Sequence, residues 1–133
     1  MADRLYTSSE ADEILSALRF ETKLEKVTLA RMAFALSLNK AGAEVPSSPN
    51  FSGGEMKRPT FFAEDETFLR TLLSYAYKRP DISEDELFSN RSLTKNHIDH
   101  GAQLLNELFQ SSGRSGDGMI ARLVEEVEFS GRR

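Results

Sequence analysis

There is no cysteine among the 133 residues. Its absence excludes disulfides, thiolate nucleophiles, iron–sulfur clusters and thiolate zinc sites together, and fits a reducing compartment. Long apolar runs are also missing. No stretch approaches the roughly 18 consecutive apolar residues of a membrane helix, and MADRLYTSSEADE at the start is polar and acidic where a secretory leader is basic and then apolar. These features predict a soluble, cytoplasmic protein with no membrane contact. A basic surplus is missing too: the net charge is −4 and the pI is near 5.3. Such a chain does not coat nucleic acid through bulk charge, so any DNA contact must be local. Residues 1–62 carry eight basic and eight acidic side chains, residues 63–133 nine and thirteen. The first half is therefore the better place to look for a polyanion.

Catalytic constellations are equally scarce. Gly53-Gly54 with Lys57 lacks the spacing of a phosphate-binding loop, and Gly113, Gly116 and Gly118 follow a helix where a nucleotide fingerprint follows a strand. The acidic runs Glu64-Asp65-Glu66 and Glu84-Asp85-Glu86 stand at helix starts, where capping and the helix dipole account for them. His97 and His100 are spaced i, i+3, as metal ligation on a helix requires, but two histidines without converging carboxylates make a weak site. The pair reads better as helix surface, and replacing both by Ala is expected to leave fold, metal content and DNA binding nearly unchanged. No enzyme activity, metal or cofactor is expected.

What is present is a helical pattern. In Lys26–Lys40, KVTLARMAFALSLNK, the residues Val27, Ala30, Met32, Ala33, Phe34, Leu36 and Leu38 leave only a narrow strip, with Arg31, Ser37, Asn39 and Lys40, to face water. This is a central core helix, in which Ala30, Ala33 and Ala35 let neighbours approach. Before it, Arg4–Thr7 is long enough for one short strand or arm, and Ser8 or Ser9 caps a helix on Ile14, Leu15 and Leu18 that ends near Glu21 or Thr22. After it, residues 41–59 hold three of the four prolines, and 42–58 reads as a long loop. A helix on Phe61 to Tyr77 follows, stopped by Pro80. Ser83 and Glu86 form a capping box, Thr94–Phe109 is a further amphipathic helix, residues 111–118 are a flexible connector, and a last helix uses Met119, Ile120, Leu123, Val124 and Val127 before a frayed tail at 129–133. The expectation is one all-α domain over residues 1–133, a compact multi-helix unit with a strand, helix, helix start. Its apolar helix faces exceed what one core hides, which predicts a homo-oligomer.

Three blocks in order, the paired segments from Leu15 to Lys40, KRPTFF with EDETFLRTLL from Lys57, and NHIDHGAQLLNEL from Asn96 to Leu108, resemble the DndE family. This is the small helical member of the bacterial DNA phosphorothioation machinery, which replaces a non-bridging phosphate oxygen of the DNA backbone with sulfur. The resemblance runs from about Arg4 to about Leu123. It implies a helical homotetramer that binds DNA, with a preference for nicked duplex, through surface lysines, beside larger partners that carry the sulfur and nucleotide chemistry. Carried onto this chain, the contact falls on Lys57 and Arg58, then on Lys23, Lys26 and Lys40, with the basic pair reaching outward. Arg31 and the pair Lys78-Arg79 are further cations to weigh. The departures are the loop from Gly42 to Glu55 and the helix after Ser111. Two other readings remain: a helical scaffold without DNA contact, and a ribbon-helix-helix regulator using Arg4–Thr7, whose single charge suits groove reading poorly.

Overall fold

The computed structural model describes the backbone of residues 3–131 and the side chains of residues 3–125. Its elements are β1 (Arg4–Tyr6), α1 (Ser9–Thr22), α2 (Lys26–Ala41), a 3-10 turn (Gly42–Glu44), β2 (Glu55–Lys57), α3 (Arg58–Phe62), α4 (Glu66–Tyr77), α5 (Glu84–Leu87), α6 (Leu93–Ser111) and α7 (Gly116–Gly131). The helical class and the strand, helix, helix start are as the sequence implies. Ser8 caps α1 by accepting from the Ala11 N–H at 3.0 Å. Ser83 and Glu86 close a reciprocal capping box on α5. Lys23, in the left-handed conformation, ends α1.

The organising contact is α2 against α6. Ala30 and Ala33 are fully buried on α2, and Gly101 on α6 lies so close that a Cβ there would stand 1.8 Å from the Ala33 carbonyl oxygen. Only glycine permits that approach. Around this seam Leu29, Phe34, Leu36, Ile98, Ala102 and Leu105 are all closed to water. Ala35, by contrast, faces outward, and Ser37, which the pattern puts on the wet strip, is completely buried.

Four other expectations are corrected. The 42–58 segment is no bare loop: β2 pairs antiparallel with β1, Arg4 opposite Lys57 and Leu5 opposite Met56. Gly53 and Gly54 lie against the Thr7–Ser8 backbone, too near for any side chain at Gly53. The predicted Phe61–Tyr77 helix is two helices broken at Ala63, whose φ is +51°; the break lets adjacent Phe61 and Phe62 both reach Phe88, at ring distances of 6.0 and 5.3 Å. The connector after α6 is short, because α7 begins at Gly116. Finally, α7 is helical to Gly131 and buries Met119, while Ile120 and Val124 remain exposed. The side chain of Val127 and the ends of the tail, Arg132 and Arg133, lie outside the described residues.

Gly101→Ala is expected to force α2 and α6 apart and to lower the unfolding free energy by about 3 kcal/mol. Urea denaturation checks this, and a loss below about 0.5 kcal/mol would mean that the seam tolerates separation.

Candidate nucleic-acid interface

Most cations of this chain are held by neighbouring groups. Arg58, expected to reach outward beside Lys57, instead turns back onto α4 and α5: its Nε and Nη2 donate to the two Glu66 carboxylate oxygens at 2.8 and 2.9 Å, and Nη2 lies 2.5 Å from Glu84. The guanidinium in turn holds the Glu66 and Glu84 carboxyls below their usual range. These acids thus do more than cap helices: they lock the α3–α4–α5 corner. Arg31 donates to the carbonyls of Phe61 and Thr60 at 2.6 and 2.9 Å, closing the C-terminal end of α3. Arg79 pairs with Glu86 at 2.6 Å, which, with the Ser83 N–H, brings the Glu86 carboxyl down to about 2.

The remaining sequence candidates divide in space. Lys26 and Lys57 come together on the rim of a cavity of about 250 Å³ that Val27, Thr60 and Phe61 also line. Lys26 is paired with Asp12. Lys57 is exposed and has no acidic partner among the described residues. Across the ribbon stands Arg4, a cation that sequence reasoning did not select, and it leans on Glu55 at 3.0 Å. The register sets Arg4 and Lys57, two like charges, directly opposite each other, and Glu55, which also lines the cavity, offsets Arg4. Lys23 is exposed with its ammonium over the Phe20 ring at 4.9 Å, one short turn from Lys26. Lys40 is at the far end of α2, roughly 21 Å away along the helix axis, and does not join them. Exposed Lys78 caps α4 elsewhere.

Of the two histidines only His100, half-buried, reaches the helix surface. His97 is fully buried, with Nδ1 2.8 Å from Ser37 Oγ and Nε2 3.0 Å from Tyr77 Oη, and Ser37 Oγ is also 2.9 Å from His100 Nδ1. Ser37 has one proton, so it donates to one imidazole and accepts from the other, and the four groups form a single hydrogen-bonded chain. Burial, with His100 nearby, brings the His97 pKa down to about 4, which keeps the ring neutral. Beside it on α6, Lys95 and Asp99 form a buried ion pair. Asp99 also accepts from Ser8 N–H at 3.0 Å and from Ser48 Oγ at 2.5 Å, and Asn96 accepts from Ser48 N–H at 3.0 Å. Among the described residues no three His, Asp or Glu groups are placed to hold a metal ion, and no helix is long and apolar enough to cross a membrane.

The family model of DNA sulphur modification protein DndE matches residues 4–112. The chain belongs to the DndE family. Membership places it in DNA sulfur modification. The match runs from β1 through α6 and stops short of Leu123, so that α7 lies beyond it. No curated protein and no solved structure gives a significant match. Within the DndE match lie the ribbon, the buried histidine chain and the Lys95–Asp99 pair. The ribbon–helix–helix order fails on geometry, because β1 pairs with β2 of its own chain and its Tyr6 N–H donates to Asn90 Oδ1 at 2.7 Å.

The histidine chain makes stability depend on pH. His97 titrates near 6.5 when unfolded and near 4 when folded, so between these values the unfolded state binds the extra proton. Stability from this group is complete above pH 6.5 and is lost as pH falls toward 4, by up to ~3 kcal/mol. Urea unfolding from pH 7 to 4.5 is expected to show wild type losing more stability than His97→Asn. A constant difference between the two proteins across that range would refute the assignment.

Proposed function

We propose that this protein is a non-enzymatic, DNA-binding accessory subunit of a DNA phosphorothioation complex. It grips the sugar–phosphate backbone of duplex or nicked DNA, without base readout, while larger partner subunits perform the sulfur and nucleotide chemistry. The observation that carries the reading is the basic end of the ribbon. Lys57, opposite Arg4 and sharing a cavity rim with Lys26, is an exposed ammonium without an acidic partner among the described residues, in a chain that pairs most of its other cations internally; Lys23 stands three residues before Lys26 in the chain. With few positive charges per copy, useful affinity comes from repetition in a symmetric assembly.

The surface that supports self-association is an apolar groove of about 570 Å³ between α2 and α4, floored by Ala35 and Ala76 and walled by Leu38, Leu69, Leu72 and Tyr75. Tyr75 is 85% exposed at its edge. A homotetramer built through this groove would line several ribbon ends along one DNA. The same groove also favours a second role for the subunit, as a helical docking element for its larger partners.

Two measurements test the reading. Titration of labelled nicked and intact duplex at several salt concentrations is expected to show Lys57→Glu with Lys23→Glu abolishing binding at moderate salt, while wild type shows a log–log salt slope steeper by roughly 0.9 for each phosphate contact it makes. Unchanged affinity and slope would remove DNA contact from this face. Light scattering of Tyr75→Glu, an exposed position whose change leaves the fold intact, is expected to report a smaller particle than wild type. A wild-type monomer at micromolar concentration would end the assembly argument.

A further inference from the structure

A cavity of about 220 Å³ lies where the 47–51 segment meets the start of α6; Ser47, Ser48, Phe51, Asn90, Arg91 and Asn96 line it, with Pro49. No carboxylate is among its lining residues, although acids outnumber bases in the chain 21 to 17. The two asparagines have their carbonyl oxygens already committed, Asn90 to Tyr6 N–H at 2.7 Å and Asn96 to Ser48 N–H at 3.0 Å. What each retains is its NH₂ group, a donor with no protein acceptor among the described residues. Arg91 is exposed, and its guanidinium has no carboxylate partner among them either. The Ser48 hydroxyl is spent on Asp99, but that of Ser47 is not. The unused side-chain capacity of this cavity is therefore mainly donor, with one full positive charge.

We infer that this cavity is a phosphate-binding pocket. Two asparagine amides, the Ser47 hydroxyl and the Arg91 fork match a tetrahedral oxyanion, which offers acceptors in several directions and gains most from charged donors. The half-buried ring of Phe51, with the Lys95 ammonium 5.4 Å from its centroid, makes an apolar wall suited to the sugar or base that carries the phosphate. Asn90 holds Tyr6, and Arg4 with its partner Lys57 is two strand residues away, about 7 Å. The pocket thus adjoins the ribbon at Tyr6, one end of a strand whose other end carries Arg4 opposite Lys57. In naming a nucleic-acid strand as one source of the phosphate, the inference rests on the function proposed above. Inorganic phosphate is the other source, and the chemistry of the pocket is the same for both.

The test follows the Asn90 and Asn96 side-chain NH₂ resonances and the Arg91 Nε–H of ¹⁵N-labelled full-length protein. Three probes are titrated at constant ionic strength: inorganic phosphate, a short single strand with a 5′-phosphate, and the same strand with a 5′-hydroxyl. Saturable shifts with inorganic phosphate are expected, with the 5′-phosphorylated strand binding about tenfold tighter than the 5′-hydroxyl strand. Arg91→Gln, at an exposed position, is expected to weaken both phosphate probes about tenfold, and Ser47→Asp to abolish them. Shifts with inorganic phosphate but no discrimination between the strands would support the pocket and assign it to free phosphate. No saturable shift with any probe, or shifts untouched by both variants, would overturn it. Lys57→Glu with Lys23→Glu separates the two proposals: duplex binding unaffected by that change, with the phosphate shifts intact, removes the ribbon face alone, whereas duplex binding abolished by that change, when wild type shows no phosphate shifts, removes the pocket alone.

Discussion

The close approach of α2 and α6 at Ala33 and Gly101 is the constraint on which the rest of the molecule depends. Two helices in backbone contact leave no room along their seam for long side chains, so the groups beside the contact must be small or must satisfy one another. Ser37 is small and polar, and buried without partners it would cost the helix pair much of what the packing contributes. It finds two imidazoles instead. The resulting chain from Tyr77 through His97 and Ser37 to His100 ties α4 to α6 across the core, which fixes where the α4 face of the apolar groove stands relative to α2.

The second consequence is on the opposite side of α6. Lys95 and Asp99, an i, i+4 pair buried to 0% and 6% side-chain exposure, are a poor source of net stability, because desolvation offsets most of their attraction. Their value is positional. The carboxylate holds the Ser8 N–H and the Ser48 hydroxyl, Asn96 holds the Ser48 N–H, and Asn90 holds Tyr6. One helix edge thereby fastens β1, the start of α1 and the proline-rich segment. A segment with Pro46 and Pro49 makes few backbone ladder bonds of its own, so its shape comes from these side-chain acceptors. The cavity at Arg91 exists because that segment is held at a fixed distance from α6.

How much of this was legible in the sequence follows from the range of each signal. Caps, periodicity and the strand, helix, helix order are local, and α1, α2, α5 and α6 were readable to within a residue or two. The sheet was not readable: three residues such as Glu55-Met56-Lys57 carry no period, and β2 exists because Leu5 and Met56 share a buried register. Nor was the break at Ala63 readable, since alanine is a helix former and gives no warning of a positive φ. Ser37 and His97 were misjudged, and Lys95 passed over, for one reason. Polar residues on a helix default to water, and only the pairing of α2 with α6 supplies partners that let them be buried. For the site, composition limited attention to a few cations but could not tell which were quenched. Lys57 and Arg58 are adjacent in the chain, yet the strand end at Lys57 turns successive side chains apart, sending Arg58 to Glu66 and Glu84.

That separation divides the cations of a chain of net charge −4 into two kinds. Arg58, Arg31, Arg70 and Arg79 are used as internal fasteners, bonding to carboxylates or carbonyls at corners between short helices, where the planar guanidinium makes paired bonds that an ammonium cannot. Lys57, Lys78 and Arg91 are exposed cations with no carboxylate partner among the described residues. An ammonium on a flexible stem adapts to phosphates at varying positions, while a guanidinium beside two amide donors selects one anion in one place. In the functions proposed for them the ribbon end and the pocket therefore differ in kind: the first would meet a continuous backbone of any sequence, the second a single phosphate held still, and the three residues of β1 connect them.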